Sequence, residues 1–274
     1  MFGNQDGGRR GRDYDREFER SGLDRNTYGG ENRYGGQGYA AKQHTGDMEA
    51  QAALYLAKVM GWMCVGLLTT VAAAMAALTM PMLWSLLFGG GPGFFVIIGA
   101  QLVMVFALSA GINRMSPAIA TVMFMVYSGL TGLTMSVFVI VYTLDSLILA
   151  FAVTAFMFLT MSVYGFVTKK DLTTVGRLAF FGLIGIIVAS VVNIFIFQNP
   201  MLYLAITVIG VVVFVGLIAY DTQAIKGIYQ RARAEGYDEY SDEVRKLAII
   251  GALKLYLDFI NLFIMLLRLL GRRR

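Results

Sequence analysis

Two aspartates stand in stretches of this sequence that are otherwise apolar, and they are the residues best suited to chemistry. Asp221 follows the apolar residues 216–220, and Asp258 lies inside the run 255–263. A carboxylate inside a membrane-spanning helix is costly, so it is usually functional and usually has a partner. Because these two lie in consecutive apolar runs, we expect Asp221 and Asp258 to partner each other.

Two carboxylates held together in a low dielectric cannot both ionise cheaply. Such a pair shares one proton and titrates as a unit. Carboxylate oxygens are also the hard ligands that Ca²⁺ prefers, so Asp221 and Asp258 are candidate metal ligands as well as a candidate proton sensor. Protons and cations would compete for this one site. Lys254, four residues before Asp258, suggests an alternative in which a purely structural ion pair neutralises Asp258.

The composition indicates a membrane protein and excludes several kinds of chemistry. Of the 274 residues 57% are hydrophobic, and the mean hydropathy is +0.63, far too apolar for an ordinary soluble domain. The net charge of +5 is typical of basic membrane loops, and we expect no nucleic-acid partner. The single cysteine, Cys64, and the single histidine, His44, exclude a disulfide framework, a thiolate cluster and histidine-based metal sites in the apolar region.

The chain divides near residue 50. Residues 1–50 are rich in Gly, Arg, Asp and Glu and have almost no aliphatic side chains. Such a segment cannot bury enough apolar surface to offset the entropy of ordering, so we predict a disordered polar N-terminal tail. Residues 51–274 are then a transmembrane domain. The tail lacks the pattern of a cleaved signal peptide, so we expect the first apolar run to act as an uncleaved signal-anchor.

Seven apolar runs follow, each close to the roughly 20 helical residues that cross a bilayer. They cover residues 59–80, 94–112, 119–141, 147–167, 178–197, 201–219 and 247–270. Turn residues separate them, with Ser116-Pro117 before the third run and Asn199-Pro200 before the sixth. The runs lack the alternation of barrel strands. The predicted fold class is an all-α integral membrane bundle of seven transmembrane helices.

One face of the seventh run is largely polar, which predicts that this helix faces protein and is central. The residues of this face recur every three to four positions and are Lys254, Asp258, Asn261, Met265 and Arg268. The third run carries Ser128, Gly132 and Ser136 at the spacing that allows close packing of helices.

Lys and Arg follow the second, fourth and sixth runs but not the first, third and fifth. The positive-inside rule therefore predicts a multi-pass protein of the bacterial plasma (inner) membrane with a cytoplasmic N-terminus. Residues 230–246 are predicted to be a long solvated cytoplasmic loop. The basic residues 272–274 conflict with the rule. Either the last helix spans fully and carries them across, which we favour, or it enters the membrane without crossing it.

Residues 219–223 (AYDTQ) and 255–263 (LYLDFINLF) resemble the motifs of the Bax inhibitor-1 family (transmembrane Bax inhibitor motif proteins), of the bacterial type. Residues 129–134 (GLTGLT) are also similar to that family, and the resemblance covers roughly residues 50–271. It implies seven helices with a central last helix. It also implies a pH-sensitive calcium leak channel governed by a di-aspartyl sensor, to which Asp221 and Asp258 correspond. Arg114 matches an arginine that latches this sensor, although a simple positive-inside anchor explains it as well.

Other functions stay open on the same residues. The resemblance also allows a membrane modulator of a quality-control protease or stress response, with the N-terminal tail contacting a membrane protease. An intramembrane aspartyl protease would need glycines before Asp258 and a later Pro-Ala-Leu segment, which this sequence lacks, so we expect no enzyme. A retinal protein is disfavoured because Lys254 precedes its aspartate. We expect the lipid bilayer, calcium ions and protons as partners, and no cofactor besides calcium as the permeating or bound ion.

Overall fold

The structure is a computed structural model that describes residues 32–80, 85, 89 and 92–274, with side chains from residue 47 onward apart from residue 113. Residues 51–274 form one compact unit. Of the tail predicted for residues 1–50, residues 1–31 lie outside the described residues, and side chains are described only from residue 47. The disorder of this tail stays a prediction.

Seven long helices make up the described chain. They are α1 Asn32–Thr79, α2 Gly93–Gly111, α3 Pro117–Val141, α4 Leu144–Val167, α5 Thr173–Val192, α6 Pro200–Ala234 and α7 Asp242–Leu270. Ile112–Arg114 is a 3₁₀ turn, and Asn193–Phe197 is a π-helical turn. All seven helices are long and apolar enough to cross a membrane, α1 through its segment Asp47–Thr79. The predicted all-α seven-helix bundle is confirmed.

The predicted turn residues begin two of these helices. The Ser116 side chain accepts a hydrogen bond from the backbone N–H of Ile119, and Pro117 occupies the first helical position of α3. Asn199 caps α6 in the same way, ahead of Pro200. Proline suits this position because the first amides of a helix have no intrahelical partner, and a capping oxygen satisfies another of them.

The last helix is central, as predicted. In its apolar window 67% of the residues are buried, against 33% or fewer in each of the other six spans. It packs against α3, α4 and α6, and it contacts α1 where Gly251 meets Val59. A helix enclosed by protein on most sides can carry polar residues that lipid would exclude.

The connection between α6 and α7 is much shorter than predicted. Helix α6 continues to Ala234 and α7 begins at Asp242, so the long loop predicted for residues 230–246 is wrong. Hydropathy marks where a helix leaves the hydrocarbon, but charged residues can continue the helix into water. The real turn is held by Arg233, which donates to the Tyr237 carbonyl at 3.0 Å and lies 3.7 Å from Asp238.

The residues after α7 pair with the connection between α3 and α4. The Thr143 amide donates to the Arg272 carbonyl at 3.2 Å, and the Arg274 amide donates to the Val141 carbonyl at 2.9 Å. With 29 residues, α7 is about 43 Å long, more than the roughly 30 Å of a hydrocarbon core. This agrees with a full span. We call the two faces of the bundle the α3–α4 end and the α6–α7 end.

The small residues of α3 allow close contact with α1. Ser128 and Ser136 are fully buried, and a Cβ placed on Gly132 would collide with the Thr70 carbonyl oxygen of α1. Glycine is therefore required at this crossing, because the two backbones approach too closely for any side chain. The predicted packing role of these residues is confirmed.

A buried carboxylate pair as the candidate functional site

The contact between Gly210 and Met265 sets the register of α6 against α7. A Cβ on Gly210 would lie 3.0 Å from the Met265 sulfur, so glycine makes room for that side chain. Eleven residues, about three helical turns, lead forward from Gly210 to Asp221 and back from Met265 to Lys254. Because the helices are antiparallel, the same faces meet again at Asp221 and Lys254.

Asp221, Asp258 and Lys254 come together at this level. Lys254 Nζ lies 3.6 Å from Asp221 Oδ1. The carboxyl groups of Asp221 and Asp258 lie within hydrogen-bonding reach of each other, and the charge of Lys254 acts on both. Only 9% of Asp221 and 5% of Asp258 is exposed, whereas the Lys254 side chain is 45% exposed. A half-exposed ammonium group thus borders a buried carboxylate pair.

Lys254 therefore forms its ion pair with the neighbouring helix. The structural alternative, in which Lys254 forms its ion pair with Asp258 one turn along α7, is therefore wrong, because the ion-pair partner of Lys254 is Asp221. A cation four residues before a carboxylate is the less favourable order along a helix. Asp221 lies level with Lys254 across the helix contact and takes that place.

One oxygen of Asp258 has no hydrogen-bond donor among the described residues. Asp258 Oδ2 is buried and unpartnered there, although the Asp221 carboxyl group is adjacent. Two ionised carboxylates can only accept, so they cannot form a hydrogen bond with each other. A single proton on either carboxyl group would supply the missing donor. The geometry therefore suits a pair that holds one proton or one cation.

The residues beside Asp221 position α6. The Tyr220 ring packs directly over Gly176 of α5. Gln223 Oε1 accepts from the Leu172 amide at 2.9 Å, and Gln223 Nε2 donates to the Lys170 carbonyl at 2.8 Å. Tyr220 and Gln223 thus bind α5 and the α4–α5 connection, which orients Asp221 towards α7.

Helix α4 closes the site from another side. A Cβ on Gly165 would collide with the Ala219 carbonyl oxygen, so α4 and α6 touch backbone to backbone about half a turn before Asp221. On α7, the Phe259 ring lies 5.5 Å from the rings of both Phe151 and Phe158 of α4, measured between centroids. These contacts exclude lipid from the carboxylate pair.

A hydroxyl network that the sequence reasoning missed lies next to Asp258. The Tyr256 hydroxyl donates to Thr70 Oγ1 at 2.6 Å, and Thr70 donates to the Ser128 carbonyl at 3.0 Å. This network joins α7, α1 and α3, and its member Tyr256 is two residues before Asp258 along α7. The available signal was Tyr256, which lies inside the motif 255–263, together with the hydroxyl of Thr70 in an apolar run.

Arg114 is the other cation that the resemblance singles out. It is exposed at the end of the 3₁₀ turn after α2, and among the described residues neither aspartate has an ion pair with it. The cation beside the pair is Lys254. The described part of the chain also holds no group of three or more His, Cys, Asp or Glu side chains placed to bind one metal ion, so Asp221 and Asp258 would offer a metal ion two carboxylates.

Comparison with known proteins decides the family. The sequence model of a family described as "Inhibitor of apoptosis-promoting Bax1" matches residues 52–274. The chain belongs to the Bax inhibitor-1 family. The resemblance drawn from residues 219–223 and 255–263 is thereby confirmed.

Relatives of this Bax inhibitor-1 family member occur in distant bacteria. The "Inner membrane protein YbhL" of Escherichia coli K12 is 47% identical over 220 residues, which cover 80% of this chain and 92% of the relative. An "Uncharacterized protein" of Borreliella burgdorferi is 41% identical with the same coverage. "Uncharacterized protein RP147" of Rickettsia prowazekii is 42% identical over 80% of this chain and 90% of its own length. The chain is a multi-pass integral membrane protein.

Proposed function

We propose that this protein is a pH-sensitive calcium leak channel in which Asp221, Asp258 and Lys254 form the gate. The observation that carries the proposal is the buried carboxylate pair with one half-exposed cation at its edge. An isolated structural ion pair would need one carboxylate, whereas this site holds two, and an oxygen of Asp258 has no donor among the residues that the structure describes. A second carboxylate beside the first adds repulsion that favours binding a proton or a cation.

The gate works through the contact between α6 and α7. While the carboxylate pair is ionised, its charge holds Lys254 of α7 against Asp221 of α6, and the helices stay together. A proton on the pair weakens that attraction and frees α6 to move against α7. Calcium competes with protons for the same oxygens, because carboxylates are its preferred ligands. Flux is therefore expected to rise as the pH falls from 8 to 6.

Arg114 is proposed as a second cation that stabilises the closed state from the α6–α7 end. It is exposed, and it lies within two residues of Ile112, which lines a cavity of about 330 Å³ together with residues of α6 and α7. Arg114→Ala should raise the leak at neutral pH. Attraction by one partly solvated charge contributes on the order of 1–3 kcal/mol, or roughly 5- to 150-fold in an open–closed equilibrium.

The orientation completes the proposal. We place the N-terminus and the α6–α7 end in the cytoplasm, since Lys and Arg are concentrated in the connections at that end. Replacing Cys64 by Ser and introducing a cysteine at the exposed Tyr240 would provide a single accessible thiol. In intact spheroplasts, a membrane-impermeant thiol reagent should leave Tyr240→Cys unlabelled until the membrane is opened. Labelling of intact spheroplasts would reverse the orientation.

Calcium flux into proteoliposomes tests the function itself. The purified full chain should pass Ca²⁺ down a gradient faster than empty liposomes, with more flux at pH 6 than at pH 8. Flux equal to that of empty liposomes at every pH would remove the channel. The modulator of a membrane protease or stress response would then be the leading function.

A further inference from the structure

An apolar groove opens on the membrane-facing side of the bundle, in the half nearer the α3–α4 end. Its volume is about 340 Å³, and it lies between α1, α3, α4 and α7. Every described lining residue except Thr70 is apolar, and the Thr70 hydroxyl is already engaged by Tyr256 and the Ser128 carbonyl. These described residues therefore offer no polar partner to a ligand, and a hydrocarbon group suits the groove.

The groove reaches the rim of the bundle at the start of α4. Leu144, which lines it, follows Thr143, and the Thr143 amide donates to the Arg272 carbonyl. On α7 the lining extends inward to Phe259, which is twelve residues, or about 18 Å, before Gly271. Half of a bilayer's hydrocarbon core measures roughly 15 Å. The groove therefore spans about one leaflet and ends beside residues 271–274.

Three arginines stand at that rim. Arg272, Arg273 and Arg274 are all exposed, and backbone bonds to Val141, Thr143 and Ser146 hold this segment in place. Asp145, in the first turn of α4, is also exposed, and no ion pair joins it to the arginines among the described residues. The backbone of this segment is fixed, and guanidinium groups are well suited to binding a phosphate.

We propose that the groove and the three arginines together bind one anionic glycerophospholipid. An acyl chain lies in the groove against Val71, Ile148 and Phe263, and the lipid phosphate contacts the guanidinium groups of Arg272–Arg274. Charge complementarity selects the anionic lipid, because a zwitterionic headgroup carries a cation that the arginines repel. This inference is independent of the proposed channel function. It also gives the basic residues 272–274, which conflict with the positive-inside rule, an anionic partner at the membrane surface.

Lipid titration followed by native mass spectrometry tests the site. The purified full chain in detergent is titrated with phosphatidylglycerol and with phosphatidylcholine of identical acyl chains. Arginines near a membrane surface attract anionic lipid headgroups, and Asp145 offsets part of this attraction. The wild-type protein should therefore prefer the first phosphatidylglycerol molecule by on the order of tenfold or more. The triple variant R272Q/R273Q/R274Q should lose this preference.

Two matched controls make the test specific. The variant K169Q/R231Q/R245Q removes three exposed cations from the α6–α7 end and should keep the wild-type preference. Ile148→Trp fills the groove and should weaken binding of both lipids, whereas Leu149→Trp changes an exposed neighbour outside the lining and should not. No preference in the wild type, equal losses in both triple variants, or equal effects of the two tryptophans would each overturn the proposal.

Discussion

Lys254 Nζ lies 3.6 Å from Asp221 Oδ1, so this ion pair links α7 to α6 across the helix contact. Asp258, one turn further along α7, is more deeply buried and contacts the same Asp221 carboxyl group. One cation thus stands beside two carboxylates. We propose that this imbalance of charge makes the site sensitive to protons and cations.

Removing the cation should destabilise the protein. Lys254→Met leaves the buried Asp221 carboxylate without its ammonium partner, so the melting temperature of the purified protein in detergent at pH 7.5 should fall. The effect should correspond to about 1 kcal/mol, since the half-exposed lysine is partly screened by solvent.

A double-mutant cycle isolates this interaction. Adding Asp221→Asn to Lys254→Met removes the unpaired charge and should recover much of the lost stability, because residues in contact do not behave additively. Lys169→Met, at an exposed lysine of the α4–α5 connection, is the control and should leave the melting temperature unchanged. Strictly additive losses from the two substitutions would show that the pair is not coupled.

The crossing of α1 and α3 gives a prediction about packing. Gly132→Ala places a methyl group against the Thr70 carbonyl and should force the helices apart. Overpacking of this kind costs about 1–3 kcal/mol. Gly129→Ala, on the same helix, has no atom within 4 Å of the added Cβ and should be neutral or stabilising, since alanine favours helix over glycine. Melting temperatures of both variants decide the matter, and equal shifts would refute the proposed close contact.

Asp171, which lies in the α4–α5 connection outside the membrane-spanning segments, should make the stability of the folded protein depend on pH. The Thr173 hydroxyl and then the Thr173 amide donate to Asp171 Oδ1, at 2.6 and 2.9 Å, and hold the pKa of this carboxyl group below its ordinary value of 3.8. A carboxyl group whose pKa is lower in the folded than in the unfolded state stabilises the folded protein at pH values above the ordinary pKa. That stabilisation disappears as the pH falls through the folded-state pKa.

The wild-type protein should therefore lose more stability than Asp171→Asn when the pH falls from 5 to 3. The asparagine can still accept both hydrogen bonds but does not titrate. Thr173→Val removes the hydroxyl donor, so its loss of stability over this pH range should be closer to that of Asp171→Asn than the wild-type loss is. Melting temperatures of the three proteins over this range provide the measurement, and a constant gap between wild type and Asp171→Asn would contradict the prediction.

Sequence reasoning found the two carboxylates because each interrupts an apolar run, and a membrane makes such an interruption expensive. It could not identify the partner of Lys254. Spacing along one helix relates Lys254 only to Asp258, whereas the register of α6 against α7 depends on the fit of Met265 beside Gly210. That fit is a tertiary property and has no signal in the order of residues.

The same limit explains the errors at the ends of helices. The seven spans follow from length and hydropathy, but α6 continues fifteen residues beyond the predicted end at residue 219, because its charged residues continue the helix outside the hydrocarbon. The full span of α7 could be favoured but not decided from residues 272–274 alone. Their backbone bonds to Val141 and Thr143 place them at the end opposite the α6–α7 connection.

The central claim is that Asp221 and Asp258 together make calcium flux depend on pH. The most direct test measures calcium flux into proteoliposomes at pH 6, 7 and 8 for the wild type, Asp221→Asn and Asp258→Asn. Asp242→Asn makes the same chemical change at an exposed position in the first turn of α7 and serves as the control.

We predict that wild type and Asp242→Asn pass more calcium at pH 6 than at pH 8. Each of the other two variants should give a nearly flat profile, because a lone carboxyl group has no shared proton to lose. Full pH dependence in both Asp221→Asn and Asp258→Asn would contradict the account.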